Sequence, residues 1–200
     1  MGLPAYQLPE AATLVSPEDY LRFENGSEYK HEYLNGRVVA MAGAEPAHNE
    51  INYNLNQTIG PHLRRQNCKG YMGDQRVHVK NQLGYLYPDT VAVCNPVFSG
   101  KVKPSSLTNP VFIAEILSTF TANIDRGAKP VLYRQLPSLR QYLILDSESV
   151  HAELYSLDEL GRWVLTETRD PQAVLDLGSI GCQVPLAEVY AGVALGPLAE

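Results

Sequence analysis

YPDTVAVC, residues 87–94, sets a proline and an aspartate directly ahead of a β-branched run. Thr90 to Cys94 has the composition of a buried strand, and Pro88 favours a strand start or an edge. Side chains alternate between faces along a strand, so Asp89 shares a side with Val91 and Val93. A second apolar run, VFIAEILS at 111–118, repeats the pattern, with Glu115 on the side of Val111, Ile113 and Leu117. A carboxylate aimed into apolar surroundings needs compensation, from a divalent metal, a lysine or arginine, or hydrogen-bond donors. Mg²⁺ takes one or two protein carboxylates and fills its remaining positions with water and phosphate oxygens. Two such acids on neighbouring strands therefore point toward hydrolysis of a phosphate ester. Each acid alone also has a plainer account, Asp89 as a turn or cap residue and Glu115 as half of a salt bridge.

Helix and strand patterns alternate along the rest of the chain. SPEDYLRFEN opens with Ser16 as N-cap and Pro17 at the first helical position, which predicts a short helix. SEYKHEYLNGRVVAMAG reads as a helical turn leading into a hairpin through Asn35-Gly36. In EPAHNEINYNLNQTIGPHLRRQ, Ile51, Leu55, Ile59 and Leu63 fall at i+4 steps and predict a helix that Gly60-Pro61 should kink or divide. GYMGDQRVHVK, YLYPDTVAVC and PVFIAEILS each read as one strand, TANIDRGAKPVLYRQLP as a helix with Pro130 an irregularity, and QYLILD as a further strand. SVHAELYSL and RWVLTET form a C-terminal β-meander, with a short helix near PLAEVYAG. The predicted class is α/β (α+β), a mixed β-sheet flanked by helices.

At 200 residues the chain has the length of a single domain, 1–200, with 1–13 and 192–200 expected as flexible termini. No stretch has the apolar length of a membrane helix, and a soluble, cytoplasmic protein is expected. Cys68, Cys94 and Cys182 are an odd number at scattered positions, which argues against a disulfide framework or a structural zinc site. The net charge of −6 is concentrated late in the chain. Through Arg140 there are 14 basic and 12 acidic residues, and from Gln141 onward 2 and 10. A basic surface for phosphate therefore remains open around Arg64, Arg65, Lys69, Arg76, Lys80, Lys101 and Lys103. No zinc finger, helix-turn-helix signature or basic arm is present to read base sequence.

YPDTVAVC, NPVFIAEILS and IDRGAKPVLYRQLPSLRQYLILD, preceded by EYKHEYLNGRVVAMAG and AHNEI, resemble in order the blocks of the Uma2 family, formerly DUF820. The resemblance covers residues 14–190 and implies a restriction-endonuclease-like core of the PD-(D/E)XK superfamily. It further implies an endonuclease using Mg²⁺ (or Mn²⁺) to hydrolyse DNA phosphodiesters. Asp89 and Glu115 map to its two metal-binding acids, with the Ile116 carbonyl as a further metal ligand. The lysine that normally follows the second acid by two residues is replaced by Leu117. The resemblance offers Lys129, from the following helix, to orient or activate the attacking water; Lys129 is equally accounted for as an i, i+4 partner of Asp125. Glu32 corresponds to an acid carried on the first core helix, able to join the metal shell or remain a solvated surface residue. His48, at a helix start, could contact a phosphate but is more simply structural. Asp74 and Tyr133 also match family positions, Asp74 as a support for the site and Tyr133 as packing between helix and sheet. The competing reading is a catalytically idle binding or assembly protein that retains the nuclease fold and dimerises. A homodimer is expected, since cutting two strands requires two sites and two-fold homo-oligomers are the commonest kind.

Overall fold

The computed structural model describes residues 14–41, 43–79, 83–99, 104–117 and 126–196. Helix α1, Pro17–Gly26, starts as its sequence requires, with Ser16 Oγ accepting the Asp19 N–H at 3.1 Å. The chain then forms the hairpin of β1, His31–Leu34, and β2, Arg37–Ala40, around Asn35 and Gly36, both at positive φ (48° and 91°). Residues 31–34 are strand rather than helix, so Glu32 belongs to β1 and not to a first core helix, and it is buried. The reason is local: β-branched and aromatic partners across a tight Asn-Gly turn fix HEYL as the opposite arm of RVVA.

Helix α2, Pro46–Arg65, runs unbroken through Gly60-Pro61. Proline inside a helix costs about 3 kcal/mol. Ile51, Leu55, Ile59 and Leu63 are all buried, on both sides of the proline, and that anchorage outweighs the lost hydrogen bond.

Two of the three expected central strands are each divided. GYMGDQRVHVK becomes β3, Cys68–Met72, and β4, Val77–Val79. YLYPDTVAVC becomes β5, Gly84–Leu86, and β6, Thr90–Cys94. In both cases the halves lie in different sheets. The breaks follow from turn chemistry: Gly73 has φ 32°, and Pro88 has no N–H to give to a ladder. Asp89 thus lies where the chain crosses from one sheet to the other.

The larger sheet adds β7, Phe112–Leu117, β8, Gln141–Asp146, β9, Ala152–Leu157, and β10, Trp163–Thr168. Its order is β10-β9-β8-β7-β6-β3, with only β7 and β8 parallel. The smaller sheet, β2-β1-β5-β4, is antiparallel throughout. Residues β11, Val174–Leu177, and β12, Cys182–Pro185, form a hairpin that sequence patterning missed, and α4, Leu186–Val189, follows it.

Each face of the larger sheet carries its own core. Ala92, Phe112, Ala114, Ile116, Leu143 and Leu145 pack against α2, the β11–β12 hairpin and α4. Val91, Val93, Ile113, Leu117 and Ile144 pack on the other side against the smaller sheet and α3, Ala128–Tyr133. Glu115 belongs by alternation to this second face, as its sequence position indicated. Among the described residues no helix is long and apolar enough to cross a membrane.

Two expectations about side chains are revised. Cys68 and Cys94 are direct partners in the β3–β6 register and form a disulfide, so only Cys182 is free, and it is buried. Spacing in the sequence could not reveal this, because the pairing is made by register across 26 residues. Arg76 is not part of a basic surface. It is 1% exposed, and its guanidinium donates to Ser106 Oγ at 2.8 Å and the Pro104 carbonyl at 2.6 Å. Lys80, Lys101 and Lys103 lie outside the described residues.

Alkylation in denaturant without reductant should modify Cys182 alone. Reduction should lower stability by about 3.5 kcal/mol, the loop-closure value for a loop of this length. Mass spectrometry showing three modified thiols before reduction would contradict the pairing.

Tyr20, Tyr33 and Tyr85 cluster between α1 and the smaller sheet, with ring centroids 5.1 to 6.2 Å apart. Tyr20 donates to the His31 carbonyl at 2.7 Å, and Tyr87 donates to Glu24 Oε1 at 3.0 Å. Burial, and after it the Glu24 charge, pushes the Tyr87 phenol up to about 12. Burial likewise raises Tyr190 to about 12 and holds Tyr20 higher still, where the Tyr87 charge would add to it. The folded chain keeps phenol protons that the unfolded chain releases near pH 10. This stabilisation should be complete below about pH 10 and fall as the pH approaches 12. Melting temperature measured across that range should drop steeply, and Tyr87→Phe should flatten part of the drop. A melting temperature independent of pH there would contradict the assignment.

Candidate active site

The crossing at Pro88-Asp89 meets the C-terminal half of β7, and each acid accepts from backbone of the other's segment. The Ile116 N–H donates to Asp89 Oδ2 at 2.8 Å, and the Asp89 N–H reaches Glu115 Oε2 at 3.4 Å. Asp89 keeps a fifth of its side chain exposed, whereas the Glu115 side chain is 3% exposed.

Helix α3 supplies the compensation that Glu115 needs. Pro130 is its third residue, within the first turn, where the backbone N–H has no helical partner, so the proline causes no break. Lys129 and Tyr133 are then an i, i+4 pair on the face toward the sheet. Lys129 Nζ lies 3.1 Å from Glu115 Oε1, and the Tyr133 hydroxyl donates to the same oxygen at 2.8 Å. Burial first, then the charges of Glu115 and Glu32, raises the Tyr133 phenol well above its ordinary value and keeps it a donor. Leu117, two residues beyond Glu115, stays in the apolar core while the lysine arrives from the helix.

From the smaller sheet, Glu32 Oε2 lies 3.1 Å from the same ammonium, and its Oε1 accepts the Tyr87 N–H at 3.0 Å. His48 Nε2 is 3.1 Å from the same Asp89 Oδ2 that accepts the Ile116 N–H, and Asn52 Nδ2 donates to the Asp89 carbonyl at 3.2 Å. Asp89, Glu115, Lys129, Glu32, His48 and Tyr133 are therefore gathered around one point. Ile116 contributes a backbone N–H to Asp89. Asp74 is not gathered: its carboxylate is exposed in the turn after β3 and paired with Lys30. Asp125, the alternative partner for Lys129, lies outside the described residues.

With this geometry established, comparison with known proteins gives a consistent result. The profile of the Uma2 family, described as "Putative restriction endonuclease", matches residues 17–187. The chain belongs to the Uma2 family. It is 32% identical over 180 residues to the uncharacterized protein slr1290 of Synechocystis, covering 90% of this chain and 93% of that one. A second Synechocystis protein, the uncharacterized sll1609, is 29% identical over 164 residues, covering 82% of this chain and 92% of the other. The fold is shared with a crystal structure described as a putative nuclease belonging to DUF820, from Anabaena variabilis. That match has a TM-score of 0.73 at 14% identity and covers 90% of this chain and 99% of the other.

Three polar residues of this Uma2 chain escaped the sequence reading. Thr90 donates to Asn52 Oδ1 at 2.7 Å, and Asn56 Nδ2 donates to Thr90 Oγ1 at 2.6 Å. His48, Asn52 and Asn56 follow one another at i+4, one ridge over from the apolar stripe of α2. That spacing was the available signal.

The donor chemistry fits a hard divalent cation. Two carboxylates, Glu115 and Glu32, share one lysine and a third, Asp89, stands beside Glu115, which leaves the cluster acidic, and Asp89 is its partly exposed member. Among the described residues no group of three or more His, Cys, Asp or Glu could hold a metal unaided. Two carboxylates with water and substrate oxygens are what Mg²⁺ ordinarily uses.

Lys129→Met should destabilise the protein by about 3 to 5 kcal/mol, because it leaves two buried carboxylates without their shared counter-charge. Adding Glu32→Gln and Glu115→Gln to that variant should restore most of the loss. Urea denaturation measures both, and a loss below about 1 kcal/mol for Lys129→Met would show that the lysine is not the compensating charge.

Proposed function

We propose that this protein is a Mg²⁺-dependent (or Mn²⁺-dependent) endonuclease that hydrolyses phosphodiester bonds of DNA. The observation that supports this best is Lys129 Nζ at 3.1 Å from both Glu115 and Glu32, beside the partly exposed Asp89. A lysine supplied by the helix takes up the place beside the second acid that Leu117 leaves empty of charge.

Asp89 and Glu115, with the Ile116 carbonyl and with Glu32 directly or through water, would hold the cation. When bound, the cation would stabilise developing negative charge and lower the pKa of a water. The remaining steps belong to the chain itself. Lys129, held as an ammonium between its two carboxylates, orients the attacking water by donating from Nζ, and the water's proton leaves to solvent. Tyr133 and the Asp89 N–H each hold one oxygen of the Glu115 carboxylate, so that it keeps its orientation beside the ammonium as charge shifts. His48, hydrogen-bonded to Asp89, orients that carboxylate and stands next to the position of an incoming phosphate. A homodimer would present two such sites to the two strands of a duplex.

One observation favours the rival reading of an idle scaffold that binds or assembles. Lys129 already offsets much of the charge on Glu32 and Glu115, so the cluster can persist without a cation. Metal binding separates the two readings: Mg²⁺ or Mn²⁺ should raise the melting temperature of the parent and not that of Glu115→Gln.

Cleavage of linear, supercoiled, branched and single-stranded DNA should be detectable with either metal. Asp89→Asn and Glu115→Gln should each lose activity by at least about 10²-fold, and Lys129→Ala should lower turnover by a similar factor with little change in metal affinity. Cleavage by Asp89→Asn at the parent's rate would overturn the reading.

A further inference from the structure

Beyond Asn56 the His48-Asn52-Asn56 ridge of α2 continues at the same i+4 step through Gly60 to Arg64. There it forms one wall of a cleft of about 370 Å³, whose other wall is β3, the edge strand of the larger sheet. One end of this cleft adjoins the candidate site. Asn56 is hydrogen-bonded to Thr90, and Met72 is the register partner of Thr90, the residue that follows Asp89. The other end carries Arg64, Asn67 and Lys69.

The chemistry of the lining is unlike that of the whole chain. The chain has a net charge of −6, yet the residues lining this cleft include two cations, two amides and no carboxylate. Arg64 and Lys69 are both exposed, and among the described residues neither makes an ion pair. Arg65, by contrast, turns aside to His62 Nδ1 at 2.9 Å. Two glycines keep the walls low. A Cβ at Gly60 would meet nothing within 4 Å, so a side chain there would project into open space. A Cβ at Gly70 would come within 3.1 Å of Leu63 Cδ1. Close approach of a backbone or ligand is a common reason for glycine within a strand.

We propose that this cleft carries the sugar-phosphate backbone of the DNA strand that enters the Asp89 site, with Arg64 and Lys69 contacting phosphates upstream or downstream of the scissile one. The inference rests on the endonuclease reading given above. Asn56 and Arg64 are eight residues apart on one helix, a rise of about 12 Å. At a rise of 3.4 Å per nucleotide along one strand, that distance spans about three nucleotides. The contacts are made to the backbone, so they set the register of the strand and its affinity without reading bases.

The test is a salt titration of binding. A fluorescently labelled duplex and a labelled single strand are titrated by anisotropy against the full chain in EDTA, between about 50 and 200 mM salt. Arg64→Ala and Lys69→Ala should each reduce the slope of log affinity against log salt by about 1, and the double variant by about 2. Arg162→Ala, which removes a cation paired with Asp158 on the opposite arm of the sheet, should leave the slope unchanged. Gly60→Glu should weaken binding at low salt while the circular dichroism spectrum and melting temperature stay those of a folded chain. A double variant with the parent's slope would overturn the cleft while leaving the endonuclease reading intact, provided the parent cleaves. A parent that neither binds nor cleaves DNA would remove both.

Discussion

A single ammonium group joins three parts of this protein that are distant in sequence. Lys129 Nζ contacts Glu32 of the smaller sheet and Glu115 of the larger one, and it arrives on a helix belonging to neither. Its own side chain is 8% exposed and those of the two acids 7% and 3%, so all three charges have lost most of their hydration. Such a group is tolerated only because every member is compensated: Tyr133 and the Asp89 N–H serve Glu115, and the Tyr87 N–H serves Glu32. Tyr133 stands on the same helix as Lys129, and the two backbone donors both belong to the crossing between β5 and β6. The relative placement of the sheets, the crossing at Pro88 and the short helix α3 are therefore mutually dependent through this cluster.

Asp89 takes its properties from the same arrangement. Had YLYPDTVAVC formed one continuous strand, its aspartate would have been one more buried acid on a ladder. Division at Pro88 instead places it at the join between the sheets, where its Oδ2 is held by both the Ile116 N–H and His48 Nε2 while a fifth of the side chain stays exposed. Asp89 is partly exposed among buried neighbours, so the cluster has one carboxylate within reach of solvent. The asymmetry between an open aspartate and a closed glutamate is also the usual way two nearby carboxylates are given different tasks.

Much of this was legible in the sequence, and the reasons differ from residue to residue. Period-2 alternation assigned Glu115 and Asp89 to one face without knowledge of the sheet, because that periodicity is a property of the strand itself. The N-cap at Ser16 and the turn at Asn35-Gly36 were equally local. What could not be read was what depends on partners. SEYKHEYL reads as a helical turn leading into the hairpin, and the point where turn gives way to strand is not marked in it; the resemblance places Glu32 on a helix, whereas it stands on β1. The disulfide follows from the register of β3 with β6, and the burial of Arg76 from acceptors 28 to 30 residues away. Asn52 and Asn56 were passed over because asparagines on a helix usually face water.

The route by which Lys129 reaches its acids also bears on how the site tolerates substitution. A lysine two residues after Glu115 on β7 would have its direction fixed by the strand, and its stem would have to cross the space that Leu117 fills. Supplied from α3, the lysine leaves that apolar position free, and the core on this face stays continuous from Val91 through Ile113 to Leu132. The consequence is a division of labour between elements. The strands position the carboxylates with the rigidity of a ladder, while the charge that acts beside them is carried by six residues of helix anchored through Pro130, Leu132 and Tyr133. A change in the packing of those three residues would therefore move Nζ relative to both acids and loosen the join between the two sheets at the same point.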